Sequence, residues 1–428
     1  MGLGTARLRR GTLAALAAVA GVLALGAAPA GADSAWTKRA LHLQYELGSD
    51  LGFRDAPWIG THNSYNSTAE MGPTLSAQDS NQKITIVEQL RQGMRSIELD
   101  LHYFPSVQGG GFDVVVCHAR DRNEFHAGCT AEKTFDQVLA PIAAWLRAHP
   151  DEVLLLYLED DMDQAEGYEA AGLALEEHLG ELIHRPKPPA NGCQELPLDT
   201  SRDDVRAAGD QVVIVTDCGG AASWRGAVFT WEAHKESQPD GFTDYPECGS
   251  EFTRIDYRST LVRYYEDSTR LSASTGNAGD PITKNTAARM TRCGVDLLHF
   301  DQLAVDDPRL EGTVWSWAPR QPSEGRCSVQ RVGENVPHGR WKSRRCQGKR
   351  RAACLKQNGR WTITKGRVKF KHADAACGKR RGADFAVPRT GYEAQLLREA
   401  MERAEVRGVW LGQRRERGSA EWSPLDRR

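Results

Sequence analysis

A chain of 428 residues with a formal net charge of −2 and ten cysteines has room for one large domain and one small one. No segment beyond the N-terminal thirty residues is long and apolar enough to span a bilayer, and the absence of a CxxC spacing argues against structural zinc. All ten cysteines fall after residue 32, and an even number in an exported chain favours disulfides, with Cys117 and Cys129 forming a plausible local bridge.

The N-terminus reads as a secretory signal peptide over 1–32. Arg7, Arg9 and Arg10 precede an apolar run at 12–27, and Ala30-Gly31-Ala32 supplies a small-residue cleavage site. The mature protein is therefore expected to be secreted. Strand-like and helix-like segments then alternate: strand 58–61, helix 84–92, strand 94–101, strand 114–117 and helix 134–148. In that last helix Phe135, Val138, Leu139, Ile142 and Leu146 recur at helical spacing. Strand 153–158 is a continuous apolar run, as expected of a strand buried on both faces. A helix at 165–183 and a strand at 211–216 follow, with 294–300 and 313–317 as the last two strands. The polar, Gly/Pro-punctuated stretch from 229 to 265 defines its strand least well. This alternation predicts an α/β fold, a (β/α) TIM-type barrel over 33–318.

Beyond 318 the character changes. Between Arg320 and Arg381 there are 19 Lys/Arg against 3 acidic residues, a local charge of +16 that leaves −18 on the rest of the chain. Cys327, Cys346, Cys354 and Cys377 lie in this stretch. Residues 319–428 thus read as a small basic, disulfide-rich, mainly β C-terminal appendage, with a helix at 392–404, a short strand at 408–411 and a loose last dozen residues.

Four predicted strands end in groups that move protons or bind hard cations: His62 and Asn63, Glu98 and Asp100, His118, and Glu159. A parallel barrel presents its chemistry at the carboxyl ends of its strands. Glu98 and Asp100, two apart on a strand, face the same side. Three carboxylates and an amide oxygen suit a hard cation, and histidines suit proton transfer near neutrality.

These motifs resemble the catalytic domain of calcium-dependent phosphatidylinositol-specific phospholipases C, most clearly over 56–161. The resemblance implies Ca²⁺ as cofactor, held by Asn63, Glu98, Asp100 and Glu159. It implies His62 and His118 as catalytic groups flanking the phosphate, with Glu98 or Asp100 as general base. Asp160 or Asp161 is an alternative to Glu159, and His102 and His126 read as structural or surface groups. Substrate-binding residues do not map; Arg120, Lys235, Arg263 and Arg270 are candidates without a choice among them.

The activity implied is cleavage of phosphatidylinositol-type lipids to diacylglycerol and a (cyclic) inositol phosphate at a phospholipid membrane surface. A glycerophosphodiesterase or sphingomyelinase D-like enzyme is the alternative within the barrel class. A non-catalytic lipid- or glycan-binding protein is the alternative outside it. The basic appendage would bind anionic lipid or glycan, with Trp341 and Trp361 at the interface, and no nucleic acid partner is expected.

Overall fold

Ten strands between Trp58 and Phe300 form one sheet, in a computed structural model that describes residues 1, 30–71, 79–119, 129–187, 192–232, 235–237, 242, 244–248, 261–277, 279, 281–333, 339–379 and 382–425. They are β1 Trp58–Thr61, β2 Ser96–Ser106, β3 Gly111–Val116, β4 Leu154–Asp160, β5 Gln194–Glu195, β6 Val212–Thr216, β7 Phe229–Thr230, β8 Lys235–Ser237, β9 Leu261–Tyr265 and β10 Leu297–Phe300. Eight of these pair in parallel in barrel order, β8-β9-β10-β1-β2-β4-β6-β7. Among the described residues β7 and β8 do not pair with each other, and β5 lies along the free edge of β7. The expected (β/α) barrel is present, with one seam in its wall.

Side-chain alternation sorts the barrel by depth. Trp58, Val153, Leu155, Tyr157, Val213, Val215, Phe229, Leu261 and Leu297 form a dry core cluster with Trp231. Two residues further along the same strands the chemistry changes: Leu155 and Tyr157 lead to Glu159, Leu261 to Arg263, Leu297 to His299, and Trp58 to Gly60 and His62. The alternate residues, such as Ile97, Leu99, Leu101, Leu154, Leu156 and Leu158, join the larger cluster shared with the surrounding helices. Apolar residues thus hold the barrel at one end and polar ones fill it at the other.

The helix Phe135–Ala148 begins in a capping box between Thr134 and Gln137 and buries the apolar positions its spacing predicts. A helix that the sequence reading misses, Ala30–Leu47, starts inside the expected signal boundary. It buries Trp36, Ala40, Leu41 and Leu47, and Tyr45 Oη donates to the Val153 carbonyl (2.6 Å) at the dry end of the barrel.

Two predicted strands are not barrel strands. The stretch around 114–117 is β3, which returns antiparallel along β2. The intervening turn, with Gly110 at φ 74°, is far too short for the crossover that a parallel strand requires. Residues 313–317 leave a 3₁₀ turn (Pro308–Thr313), and Trp317 makes only a single bridge to Trp341. Their apolar pattern is that of core packing, which a short run cannot distinguish from a strand. The polar stretch from 229 to 265 supplies three short strands, β7, β8 and β9.

The appendage is a second sheet of eight strands: β11 Cys327–Arg331, β12 Trp341–Arg344, β13 Lys349–Lys356, β14 Trp361–Ile363, β15 Val368–Lys369, β16 Ala383–Phe385, β17 Gly408–Arg415 and β18 Trp422–Pro424. Part of the tail expected to be loose is therefore paired, β18 against β17. All ten cysteines are bridged: 117–129, 193–218, 248–293, 327–346 and 354–377. Trp341 and Trp361 are not interfacial. Both are buried, Trp341 edge-on to Trp315 (5.4 Å) and Trp317 (5.8 Å), because so small a sheet needs its aromatics for a core.

Gly60 lets β1 approach β2 and β10. A Cβ there would stand 2.3 Å from the Ser96 carbonyl and 2.8 Å from His299 Cδ2. Gly60→Ala is expected to destabilise by about 1–3 kcal/mol, measured by chemical denaturation, since backbone oxygen cannot rotate away. Unchanged stability would mean that the strands can separate locally.

Candidate active site

The polar end of the barrel is organised by β2. Its register sets Glu98 opposite Tyr157 and Asp100 opposite Glu159. Carboxylate oxygens of Glu98, Asp100 and Glu159 all lie within 4.8 Å of one another. Tyr65 Oη donates to Asp100 (2.8 Å) and Tyr157 Oη donates to Glu159 (3.0 Å), which fixes two of the three. Asn63 follows β1 in the left-handed region, φ 42°, a conformation Asn tolerates better than most residues. Its amide stands against Asp100. Turned one way, its nitrogen donates to both Asp100 oxygens (3.0 and 2.9 Å). Turned the other way, its nitrogen donates to Asn81 (3.3 Å) and its oxygen joins the carboxylates, an arrangement that needs a cation between them.

Arg263, from β9, enters the same cluster. It pairs with Glu98 Oε2, which also lies 3.2 Å from His299 Nδ1, while His299 Nε2 lies 2.9 Å from Ser96 Oγ. Glu98, Arg263 and His299 are all buried. Burial alone would raise the Glu98 pKa, but Arg263 foremost, then His62 and His299, hold it well below the usual carboxylate range. His299 is pushed down to about 4, chiefly by burial. Asp100 and Glu159 move the other way, raised by burial and then by neighbouring carboxylates.

His62 is held from behind. Its Nδ1 lies 3.1 Å from Asp301 Oδ2, on the residue that follows β10. The Asp301 carboxylate also accepts from the Ser268 amide (2.7 Å), Asn81 (3.3 Å) and Gln82 (3.3 Å). Burial alone would lower the His62 pKa, but Asp301 and then Glu98 raise it to about 10. His118 is partly exposed and sits 3.8 Å from Asp79. The Asp79 carbonyl accepts from Asn66, which donates to Asn81, which donates to Asp301. One hydrogen-bonded strap therefore ties the His118 side of the mouth to the His62 side.

Of the residues singled out in sequence, Asn63, Glu98, Asp100 and Glu159 converge, His62 stands beside them, and His118 lies along the rim. Asp160 and Asp161 do not join the carboxylate cluster. His102 is buried, stacked on Phe104 (5.6 Å), as a structural group would be. Arg120 and His126 lie outside the described residues, as does the Lys235 side chain, and Arg270 is exposed. Sequence reasoning misses Asp301, His299 and Asn81, and offers Arg263 only as one of four substrate-binding candidates, whereas it is buried and paired with Glu98. Asp301 had a signal, since it follows an apolar strand just as Glu159 ends one.

The donor set fits a calcium ion. It is all oxygen, carries three carboxylates, and contains a buried Glu98 Oε1 that has no hydrogen-bond partner among the described residues. Arg263 occupies only the other oxygen.

Residues 22–307 match the family model described as the Rv2075c PI-PLC-like domain. The chain belongs to that family. It is 40% identical over 396 residues to "Uncharacterized protein Rv2075c" of Mycobacterium tuberculosis, an alignment spanning 88% of this chain and 79% of the relative. Over 119 residues it is 29% identical to a PI-PLC X domain-containing protein of Arabidopsis thaliana, covering 27% of this chain and 26% of the other. Among solved structures, a phosphatidylinositol-specific phospholipase C from Listeria monocytogenes is 15% identical, covers 64% of this chain and 97% of its own, and superposes with a TM-score of 0.41. A calcium-dependent phosphoinositol-specific phospholipase C from a Pseudomonas species is 12% identical, covering 62% and 93%, with a TM-score of 0.35. The strand order above, rather than these loose superpositions, carries the fold assignment.

Proposed function

We propose that this protein is a secreted, calcium-dependent phosphodiesterase that cleaves phosphatidylinositol-type lipids to diacylglycerol and a cyclic inositol phosphate. The observation that carries this reading is the meeting of three carboxylates and the His62–Asp301 pair at one end of a barrel of the PI-PLC-like family. A calcium ion held by Asn63, Glu98, Asp100 and Glu159 would offset negative charge on the reacting phosphate.

The remaining work falls to this chain's side chains. Asp301 engages His62 at Nδ1, which leaves Nε2 to donate to a phosphoryl oxygen. The inositol 2-hydroxyl attacks phosphorus and the bond to the diacylglycerol oxygen breaks, that oxygen taking its proton from His118. Glu98 is tied to Arg263 and His299, so Asp100 is the better placed of the two carboxylates to accept the hydroxyl proton.

A lipid surface fits the rim. Val107 and Phe112 on the β2–β3 hairpin, Leu271 beyond β9 and Val305 beyond β10 are large apolar side chains, each more than half exposed, on segments that leave the site end of the barrel. Export fits the five disulfides and the basic-then-apolar N-terminus.

Two measurements test the reading. Calcium should raise the Tm of the mature protein, and Asp100→Asn should abolish that rise together with most of the activity; a wild-type Tm blind to calcium would leave the carboxylates balanced by Arg263 and His62 and not by a bound ion. Turnover should also be greatest on phosphatidylinositol in a panel with sphingomyelin and glycerophosphodiesters. A preference for either of those would move the substrate to that class.

A further inference from the structure

A second site lies in the appendage, away from the barrel chemistry. Arg331 at the end of β11, Lys349, Arg350 and Arg351 at the start of β13, Arg367 before β15 and Arg407 before β17 surround a cleft of about 410 Å³, with Glu405 as the one acidic residue lining it. That volume is in the range of small-molecule sites.

The sheet brings these charges together against their own repulsion. Arg331 is paired with Gly408 across β11 and β17, and Arg351 with Val409 across β13 and β17. Lys349 stands directly opposite Lys369 in the β13–β15 ladder, a like-charge pairing that disfavours a sheet. Arg350 lies over the Trp410 ring at 5.3 Å, and its buried Nε has no hydrogen-bond partner among the described residues. Gly408 leaves the floor open, since a Cβ there would meet nothing closer than 3.7 Å. Among the described residues none of Arg331, Lys349, Arg350, Arg367 or Arg407 forms an ion pair, although exposed basic groups elsewhere in the chain do, Arg147 with Glu181 for example. The Arg350 pKa is lowered by burial and then by Arg344, Arg331 and Arg367, the direction expected of cations crowded without a counter-charge.

From this geometry we infer that the cleft is a binding site for a ligand carrying several phosphate groups. Guanidinium forks match the oxygens of a phosphate two at a time, and five arginines and a lysine around one cavity exceed what a single carboxylate ligand would use. Such phosphates come either from the headgroup of a phosphorylated lipid in a membrane or from a soluble polyphosphorylated molecule. The site is independent of the barrel's activity and would stand if the proposed reaction failed.

The test uses the full mature chain. Binding of inositol hexakisphosphate is measured by calorimetry. Co-sedimentation is measured with vesicles of phosphatidylcholine alone and of phosphatidylcholine doped with phosphatidylinositol bisphosphate. The triple variant Arg331→Gln/Arg367→Gln/Arg407→Gln is compared with Arg345→Gln/Arg360→Gln/Lys371→Gln, which removes the same charge from exposed positions that do not line the cleft. The cleft variant should lose about tenfold or more in affinity, the control about twofold or less, with binding weakening as salt rises. Binding to both the soluble ligand and doped vesicles assigns the phosphates to a lipid headgroup, and binding to the soluble ligand alone assigns them to a free molecule. Equal losses in the two variants would overturn the site in favour of bulk charge. Tighter binding of duplex DNA than of either phosphate probe would overturn it in favour of a nucleic-acid surface.

Discussion

His62→Gln should lower kcat on phosphatidylinositol by about 10²–10³-fold, the range for losing one donor aimed at the charge that develops on a reacting oxygen. Asp301→Asn should fall in the same range with the fold retained, and it is the more informative variant. The Asp301 carboxylate accepts from Ser268 and Asn81 and faces His62 Nδ1 at 3.1 Å. An amide keeps one acceptor but turns a donor toward other donors, so the imidazolium loses both its orientation and the negative charge that favours its protonated form. KM should change less than kcat, because a donor to the phosphoryl oxygen counts for most where negative charge develops on that oxygen. Activity of Asp301→Asn within tenfold of wild type would remove the pair from the machinery, whatever His62→Gln does.

The largest effect on stability should come from Arg263→Met. Arg263 and Glu98 are buried together, and removing the cation leaves Glu98 beside Asp100 and Glu159 without its direct partner. Breaking a buried pair in this way costs about 3–5 kcal/mol, read as a shift in the denaturation midpoint without calcium. The double variant Arg263→Met/Glu98→Gln should recover most of that loss, because the orphaned charge goes with its partner. Calcium should stabilise Arg263→Met more than wild type, since the ion would replace the missing positive charge. A double variant no more stable than the single one would show that the two residues are not coupled.

What was legible in the sequence follows from how far each signal reaches along the chain. The run 153–158 is apolar at every position, as suits a strand buried on both faces; β4 sits there and carries Glu159 into the site. Glu98 and Asp100 were readable as a same-face pair because a strand repeats every two residues. The pairing of Arg263 was not, since a lone arginine in a polar region looks solvated or substrate-facing, and its partner Glu98 is 165 residues away. Nor was the hairpin of β3 on β2 distinguishable from two barrel strands, because the direction of pairing depends on the turn and not on strand composition. Strands β7 and β8, two and three residues long, are too short to produce any pattern. The helix Ala30–Leu47 went unseen for another reason: its polar and apolar residues alternate too irregularly to mark a face.

³¹P NMR of the mature protein with phosphatidylinositol vesicles, with calcium and with chelator, follows the fate of the phosphate itself. A water-soluble cyclic inositol phosphodiester should form with calcium, fail to form with chelator and be absent in Asp301→Asn. Intact lipid under both conditions, or a phosphate that stays with the diacylglycerol, would contradict the proposed reaction.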